Sequence, residues 1–303
     1  MDEISFKDRV AIVTGAGGGV GRLHAIALAR RGARVLVNDL GGSVDGHGES
    51  ASAAQRVVDE ITAQGGTALA SQASVTDFDA VQAMVQEVVD AWGRVDVLVN
   101  NAGILRDKTF AKMDLADFRQ VLDVHLMGAV HTSKAVWPIM QAQQYGRIVM
   151  TTSSTGLYGN FGQSNYGAAK LALVGFMQTL ALEGARYDIR VNALAPTAAT
   201  RMTEGLMPQE ALDALRPEAV VPAMLVLASE QAPNRTILCA GAGSFEAAHI
   251  TLTRGVHLGV ADDTAERLLA ALDEVTDRDG EIVPQGGGQQ GELELGKALA
   301  EAA

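Results

Sequence analysis

The sequence predicts a single doubly wound α/β domain: a parallel β-sheet with helices packed on both faces. Three observations lead there. Short apolar runs alternate with stretches of helical period along most of the 303 residues. Such alternation requires parallel strands joined by right-handed crossovers. Glycines and polar residues gather just after the apolar runs, at the carboxyl ends of strands, where sheets of this class bind ligands.

Taken in order, Val10–Thr14 reads as a strand that ends in glycines, and 22–31 as the helix behind it. Strands are expected at 34–39 and 67–72, with a helix over 50–63 between them. The run 77–92 is helical, because Val81, Met84, Val85, Val88 and Val89 fall on one face. A strand at 95–100 precedes one long helix over 115–140. The buried strand at 147–152 runs into Ser153-Ser154, followed by a helix over 164–185, a strand at 189–195 and a helix near 218–228. This domain is expected to occupy 1–250. The extension 251–303 reads as a helix near 261–276, a Gly/Gln-rich linker from Pro284, and a short helix or disordered end over 292–303.

Composition bounds the function. A hydrophobic content of 48% suits a large core, and no window carries the roughly 18 apolar residues of a membrane span. The N-terminal residues show no signal peptide, so a cytoplasmic protein is expected. The net charge of −12 disfavours nucleic acid as a partner. Cys239 is the one cysteine, which excludes an intramolecular disulfide and a cysteine-cluster metal site; in an apolar run it is expected in the core. No metal site is read.

The first strand end carries Gly15, Gly19, Val20 and Gly21. Glycines between a strand and a helix let a pyrophosphate approach the backbone, while the helix N-terminus favours its charge. Asp39, eighteen residues after Gly21, is placed to accept from ribose hydroxyls and to repel a 2′-phosphate. A Rossmann-like dinucleotide site that prefers NAD is therefore expected. Farther along, Tyr166 and Lys170 lie four apart on one helix, and Ser153 lies thirteen residues before Tyr166. A lysine ammonium beside a phenol is expected to lower its pKa, so that the phenol exchanges a proton with an alcohol near neutrality.

These residues resemble the short-chain dehydrogenases/reductases, through Thr14-Gly15 with Gly19 and Gly21, Asn100-Asn101-Ala102-Gly103, Ser153, Tyr166 with Lys170, and the Pro196 loop. A closer resemblance is to the (3R)-hydroxyacyl-CoA dehydrogenase part of D-specific multifunctional β-oxidation enzymes, a group also described as 17β-hydroxysteroid dehydrogenases. It rests on the runs 37–42, 101–107 and 158–163, with Ser-rich 151–154, 201–203 and 241–243. The resemblance implies that Tyr166 takes the hydroxyl proton, Lys170 supports it and holds the nicotinamide ribose, and Ser153 holds the reacting oxygen. It adds Leu40, Ser74 and Val75 on the adenosine side, Asn101, Ala102 and Gly103 at the ribose, and Pro196 and Thr200 at the nicotinamide. His125 stands where the broad family has asparagine, and is a candidate for proton relay or for a hydrogen-bonded core histidine. Ser74 replaces an aspartate.

Tyr158, Asn160 and Phe161 precede Tyr166 and are candidates for contact with an acyl chain or sterol. Met202, Leu206 and Met207 read as a mobile apolar flap. The expected activity is NAD-dependent oxidation of a secondary alcohol on an acyl-CoA. A 17β-hydroxysteroid dehydrogenase, an NADPH-dependent 3-oxoacyl-carrier-protein reductase and a non-catalytic nucleotide-sensing or scaffold protein are the alternatives. The resemblance also implies a homodimer or homotetramer formed through the two long helices.

Overall fold

A computed structural model describes residues 3–41, 52–199 and 209–301. The sequence builds strands β1 Val10–Thr14, β2 Arg34–Asn38, β3 Thr67–Ser71, β4 Val97–Asn100, β5 Gly146–Thr151, β6 Ile189–Thr197, β7 Ile237–Gly241 and β8 Ser244–Ala248. They form one sheet in the order β3-β2-β1-β4-β5-β6-β7-β8. Every pair from β3 to β7 is parallel. The chain winds to one side of β1 and then restarts at β4 on the other, so a crevice opens between the carboxyl ends of these two strands. All residues of β1, β4 and β5 are buried, which explains their uninterrupted apolar reading.

Helices α1 Gly19–Arg30, α2 Ser52–Ala63 and α9 Val221–Ala228 share one core with alternate residues of the sheet, among them Ala11, Val13, Val35, Val97 and Val149. The intervening sheet residues, such as Ile12, Leu36, Leu98 and Ile148, point to the opposite face. Further helices are α3 Phe78–Trp92, α4 Leu115–Leu122, α5 Gly128–Gln143, α6 Ser154–Tyr158, α7 Ser164–Gly184 and α8 Gln209–Ala214. In α3, Asp77 caps the first turn by accepting from the Ala80 N–H, and Gly93 ends the helix in the left-handed region. Its Val81, Met84, Val85 and Val88 are buried as the spacing requires, with Val89 at the margin of that face.

The structure refines three expectations and adds one hairpin. The chain is helical over 115–140 as expected, but α4 and α5 are joined by a π turn, Asp123–Met127, whose extra residue turns His125 into the interior. The helix near 218–228 begins as a 3₁₀ turn, Pro217–Val220, because Pro217 and then Pro222 cannot supply the N–H groups of a continuous α-helix. Cys239 is half-buried, since β7 lies near the sheet edge instead of its centre. Beyond β7, Ala242 and Gly243 both take positive φ, the two-residue turn that folds β8 back on β7.

The chain divides into two compact units, Met1–Ala247 and Ala248–Ala303. The second contains α10 Thr264–Ala270, α11 Leu272–Val275 and α12 Gly288–Glu301. An antiparallel bridge joins Leu252 to Ile282, the Thr253 hydroxyl donates to Val275 O at 2.7 Å, and Arg278 pairs with Glu281. The stretch read as a glycine-rich linker is helical from Gly288 onward, so it is not all linker.

Candidate active site

The crevice between β1 and β4 is built by short side chains. Thr14 ends β1, and its Oγ1 accepts from the Asn101 and Ala102 N–H groups at 3.0 and 3.1 Å. The Asn101 amide returns two hydrogen bonds, to Thr14 O and Gly15 O, each at 3.0 Å. The glycine turn and the end of β4 are thus stapled across the crevice. Gly15 has φ +61 and a Cβ there would stand 2.7 Å from Ala102 Cα; Gly19 has φ +53 and opens on free space. No side chain caps α1, so its first N–H groups face that space. Asp39 accepts from Gly17 N at 2.8 Å and Gly41 N at 2.7 Å, which sets a carboxylate at the end of β2 beside the turn. This cradle fits a dinucleotide: an uncapped helix end for the pyrophosphate and an acceptor for the ribose.

Around it, Leu40 is partly exposed, Val75 is buried and its carbonyl accepts from His131 Nδ1 at 2.9 Å, and the Ser74 hydroxyl bonds Thr76 at 2.8 Å. Pro196 is half-buried near the end of β6. Asn100 is spent inside the fold, accepting from the Thr132 hydroxyl at 2.6 Å and so tying β4 to α5. Thr200, Met202, Leu206 and Met207 lie outside the described residues.

Ser153 follows β5 and starts α6, and Tyr166 and Lys170 stand on α7. The Ser153 hydroxyl faces the Tyr166 phenol closely enough to lower its pKa. Lys170 Nζ lies 5.5 Å from the Tyr166 ring centre and donates to Thr151 O at 2.6 Å. These three residues therefore converge as their spacing predicts. The electrostatics differ from expectation. Burial raises the phenol's pKa, the Ser153 hydroxyl lowers it, and the charge of Asp107 raises it. Lys170 is itself fully buried, and desolvation pulls its pKa down to about 7. Lys170 is turned toward the Thr151 carbonyl and is not among the groups that lower the phenol's pKa in this arrangement.

His125 meets Tyr166 edge-on, with ring centres 5.3 Å apart. Its Nε2 lies 2.8 Å from Ile104 O and 3.1 Å from Ile104 N, and burial, then the charge of Lys170, holds its pKa well below the ordinary value. Gly103 makes room for that ring, since a Cβ would come within 2.2 Å of His125 Cε1. A cavity of about 10 Å³ lies among Thr14, Asn100, His125 and Lys170.

Tyr158 and Phe161 are 72% and 89% exposed on the segment leading into α7, while Asn160 donates to Gln163. Burial raises the pKa of the Cys239 thiol, and the nearby Tyr158 hydroxyl lowers it. The sequence reading overlooked Thr14, Asp107 and Gln163 as structural partners of the site. Thr14 opens the glycine motif, and Asp107 and Gln163 end two of the runs that carry the resemblance, but nothing in the local pattern showed that they meet.

The model of the short chain dehydrogenase family matches residues 9–211. The "Peroxisomal hydratase-dehydrogenase-epimerase" of Saccharomyces cerevisiae is 52% identical over 227 residues, 75% of this chain and 25% of that protein. The full-length peroxisomal multifunctional enzyme type 2 from Drosophila melanogaster superposes with a TM-score of 0.81 at 36% identity, over 98% of this chain and 50% of that one. A 7α-hydroxysteroid dehydrogenase complexed with NADH and 7-oxo glycochenodeoxycholic acid gives 0.71 at 30% identity, over 79% and 95% of the two chains. The chain thus spans a quarter of the yeast relative and half of the fly one. Both carry "peroxisomal" in their names, so the cytoplasmic expectation finds no support in them; no helix among the described residues is long and apolar enough to cross a membrane. Sheet order, crevice chemistry and a match running from β1 past β6 agree, and the chain belongs to the short-chain dehydrogenases, nicotinamide-dependent oxidoreductases that act on CH–OH groups.

Proposed function

We propose that this enzyme oxidises a (3R)-hydroxyacyl-CoA to the 3-oxoacyl-CoA with NAD. The observation that carries the chemistry is the Tyr166 phenol facing the Ser153 hydroxyl, with Lys170 one helical turn away on α7. Tyr166 removes the hydroxyl proton of the substrate, and the Ser153 hydroxyl holds the reacting oxygen. Lys170, on the same face of α7 as Tyr166, is the donor offered to the ribose and the cation nearest the phenolate as it forms. Bound NAD supplies the hydride acceptor. Gly15, Gly19, Val20 and Gly21 would hold its pyrophosphate, Asp39 and Leu40 its adenosine ribose, and Ser74 and Val75 its adenine. Asn101, Ala102 and Gly103 would line the second ribose and Pro196 the nicotinamide.

Asp39 supports NAD over NADP, because a second negative charge about 4 Å from the carboxylate is repelled by about 1–4 kcal/mol. It disfavours the NADPH-dependent carrier-protein reductase reading for the same reason. His125 is a positioning residue in this proposal, fixing Ile104 and the face of Tyr166. The acyl-CoA substrate is supported by the names of the multifunctional relatives and by the exposed Tyr158 and Phe161 beside Asn160. A 17β-hydroxysteroid is the second reading, favoured by the steroid bound to the third relative. Exposed Leu171 and Leu182 on α7 support association of two or four copies.

The test follows absorbance at 340 nm with NAD or NADP and (3R)- or (3S)-hydroxyacyl-CoA or a 17β-hydroxysteroid. Turnover confined to NAD with the 3R thioester is expected. Turnover of the steroid alone, or a preference for NADP, would sink the respective part of the proposal. No turnover despite NAD binding would favour the non-catalytic alternative, which the presence of both Tyr166 and Lys170 disfavours.

A further inference from the structure

The reaction proposed above uses Ser153, Tyr166 and Lys170, yet the contacts that hold two of them in line run through a side chain with no chemistry of its own. Gln163 immediately precedes α7. Its Oε1 accepts from Thr155 Oγ1 at 3.0 Å and from Asn160 Nδ2 at 2.9 Å, while its Nε2 donates to Asp107 Oδ2 at 2.6 Å. Thr155 in turn touches the reacting groups: its N–H donates to Ser153 Oγ at 3.1 Å. On the other side, the Gln163 carbonyl accepts from Gly167 N at 2.7 Å, in the turn of α7 that carries Tyr166.

The Asp107 end is braced independently. Lys108 N donates to Gly162 O at 3.0 Å, and the Asn165 amide to Arg106 O at 2.9 Å. Three segments therefore meet at one amide: the start of α6 with Ser153, the Tyr158–Phe161 loop, and the loop after β4. Only a side chain with an acceptor and a donor on one planar head can serve all three. Glutamate would face Asp107 with a second negative charge, and leucine would offer neither group.

We infer that Gln163 is a positioning residue for the dehydrogenase reaction, holding Thr155 so that the Ser153 hydroxyl stays aligned with the Tyr166 phenol, and holding Asn160 so that the substrate loop keeps its place. The inference rests on the assignment of Ser153 and Tyr166 made above. Tyr166 is faced by the Ser153 hydroxyl, by Asp107, by His125 from the π turn and by Lys170 from its own helix. A shift in how Ser153 meets it is therefore readable in its titration.

The experiment compares Gln163→Leu, Thr155→Val and the double variant in the full chain. Turnover is expected to fall about ten- to a hundredfold in each single variant, as misplacement of a reacting group does, with NAD affinity unchanged within about twofold. The double variant should be no slower than the poorer single one, because both break the same link. Gln163→Glu combined with Asp107→Asn reverses the polarity of one bond and should recover most of the loss. A second readout needs no substrate: absorbance at 295 nm, taken as the difference between each protein and its Tyr166→Phe partner, isolates this one phenol. It should titrate higher in Thr155→Val, where Asp107 keeps its Gln163 partner and only the hold on Ser153 is loosened. Wild-type turnover in Gln163→Leu, additive losses, or an unmoved titration in Thr155→Val would each overturn the inference. If the wild-type enzyme oxidises none of the alcohols offered, the proposed reaction fails and the titration alone decides the positioning role.

Discussion

Tyr166→Phe removes the one oxygen that can take the substrate's proton while leaving the glycine turn and Asp39 untouched. Turnover should drop by about 10²–10⁴-fold, and NAD binding, read by protein fluorescence, should stay within about twofold of wild type; full turnover would remove the phenol from the reaction. His24 makes a different prediction. It is wholly buried on α1, neither ring nitrogen has a partner, and burial lowers its pKa from 6.5 to about 3. The fold accepts only the neutral ring, whereas the unfolded chain binds a proton below pH 6.5. Its contribution to stability is thus intact above pH 6.5 and is lost, at about 1.4 kcal/mol per pH unit, as the pH falls from there toward 3. His24→Leu should raise Tm more at pH 5 than at pH 8; an equal gain at both would contradict the assignment. At this scale the sequence was partly legible. The spacing of Ser153, Tyr166 and Lys170 brought them to one place, because helix and strand geometry fix it. It did not disclose that Lys170 turns to Thr151 O or that Asp107 opposes Ser153 at the phenol, since both depend on contacts across the chain.

Strands were the most legible elements because a parallel strand buried on both faces leaves an apolar run between breakers. The π turn at Asp123–Met127 was not, because one inserted residue leaves the local pattern helical on either side. Nor was the β7–β8 hairpin, whose Ala242 occupies a positive φ that the residue type does not advertise. The amino ends of β5 and β6 show a further element-level device. Arg147, fully buried, donates to the carbonyls of Ser229 at 3.0 Å, Asp188 at 2.7 Å and Glu230 at 3.0 Å, and pairs with Asp188 at 3.1 Å. Its guanidinium also lies over the Tyr145 ring, 4.2 Å from the centre. Arg147→Met strands these acceptors and should lower unfolding stability by about 3–5 kcal/mol in urea titration. Because this cluster lies at the end of β5 opposite Ser153, turnover per folded molecule should be unchanged. A loss below about 1 kcal/mol would mean that the cluster behaves as a surface ion pair.

At the scale of the molecule, the two units differ in kind. The first has a continuous core around the sheet; in the second, no described residue is buried, and Val260, Leu269, Leu295 and Leu299 are largely exposed. A segment of 56 residues without a core cannot offset its conformational entropy. The fragment 248–303 produced alone should therefore give the circular dichroism and narrow amide shift dispersion of an unfolded chain; a cooperative thermal transition would refute this. That boundary was only loosely visible in the sequence, because the family resemblance thins there without a breaker-rich linker. The outermost strand has another consequence. β8 ends the sheet after only five residues, with Glu246 on an exposed edge next to the half-exposed Phe245. A short charged edge is a poor template for the next molecule's backbone. Variants that neutralise Glu246 or extend β8 would give the enzyme an adhesive border, and the outcome would be fibrous or amorphous precipitate rather than slower catalysis.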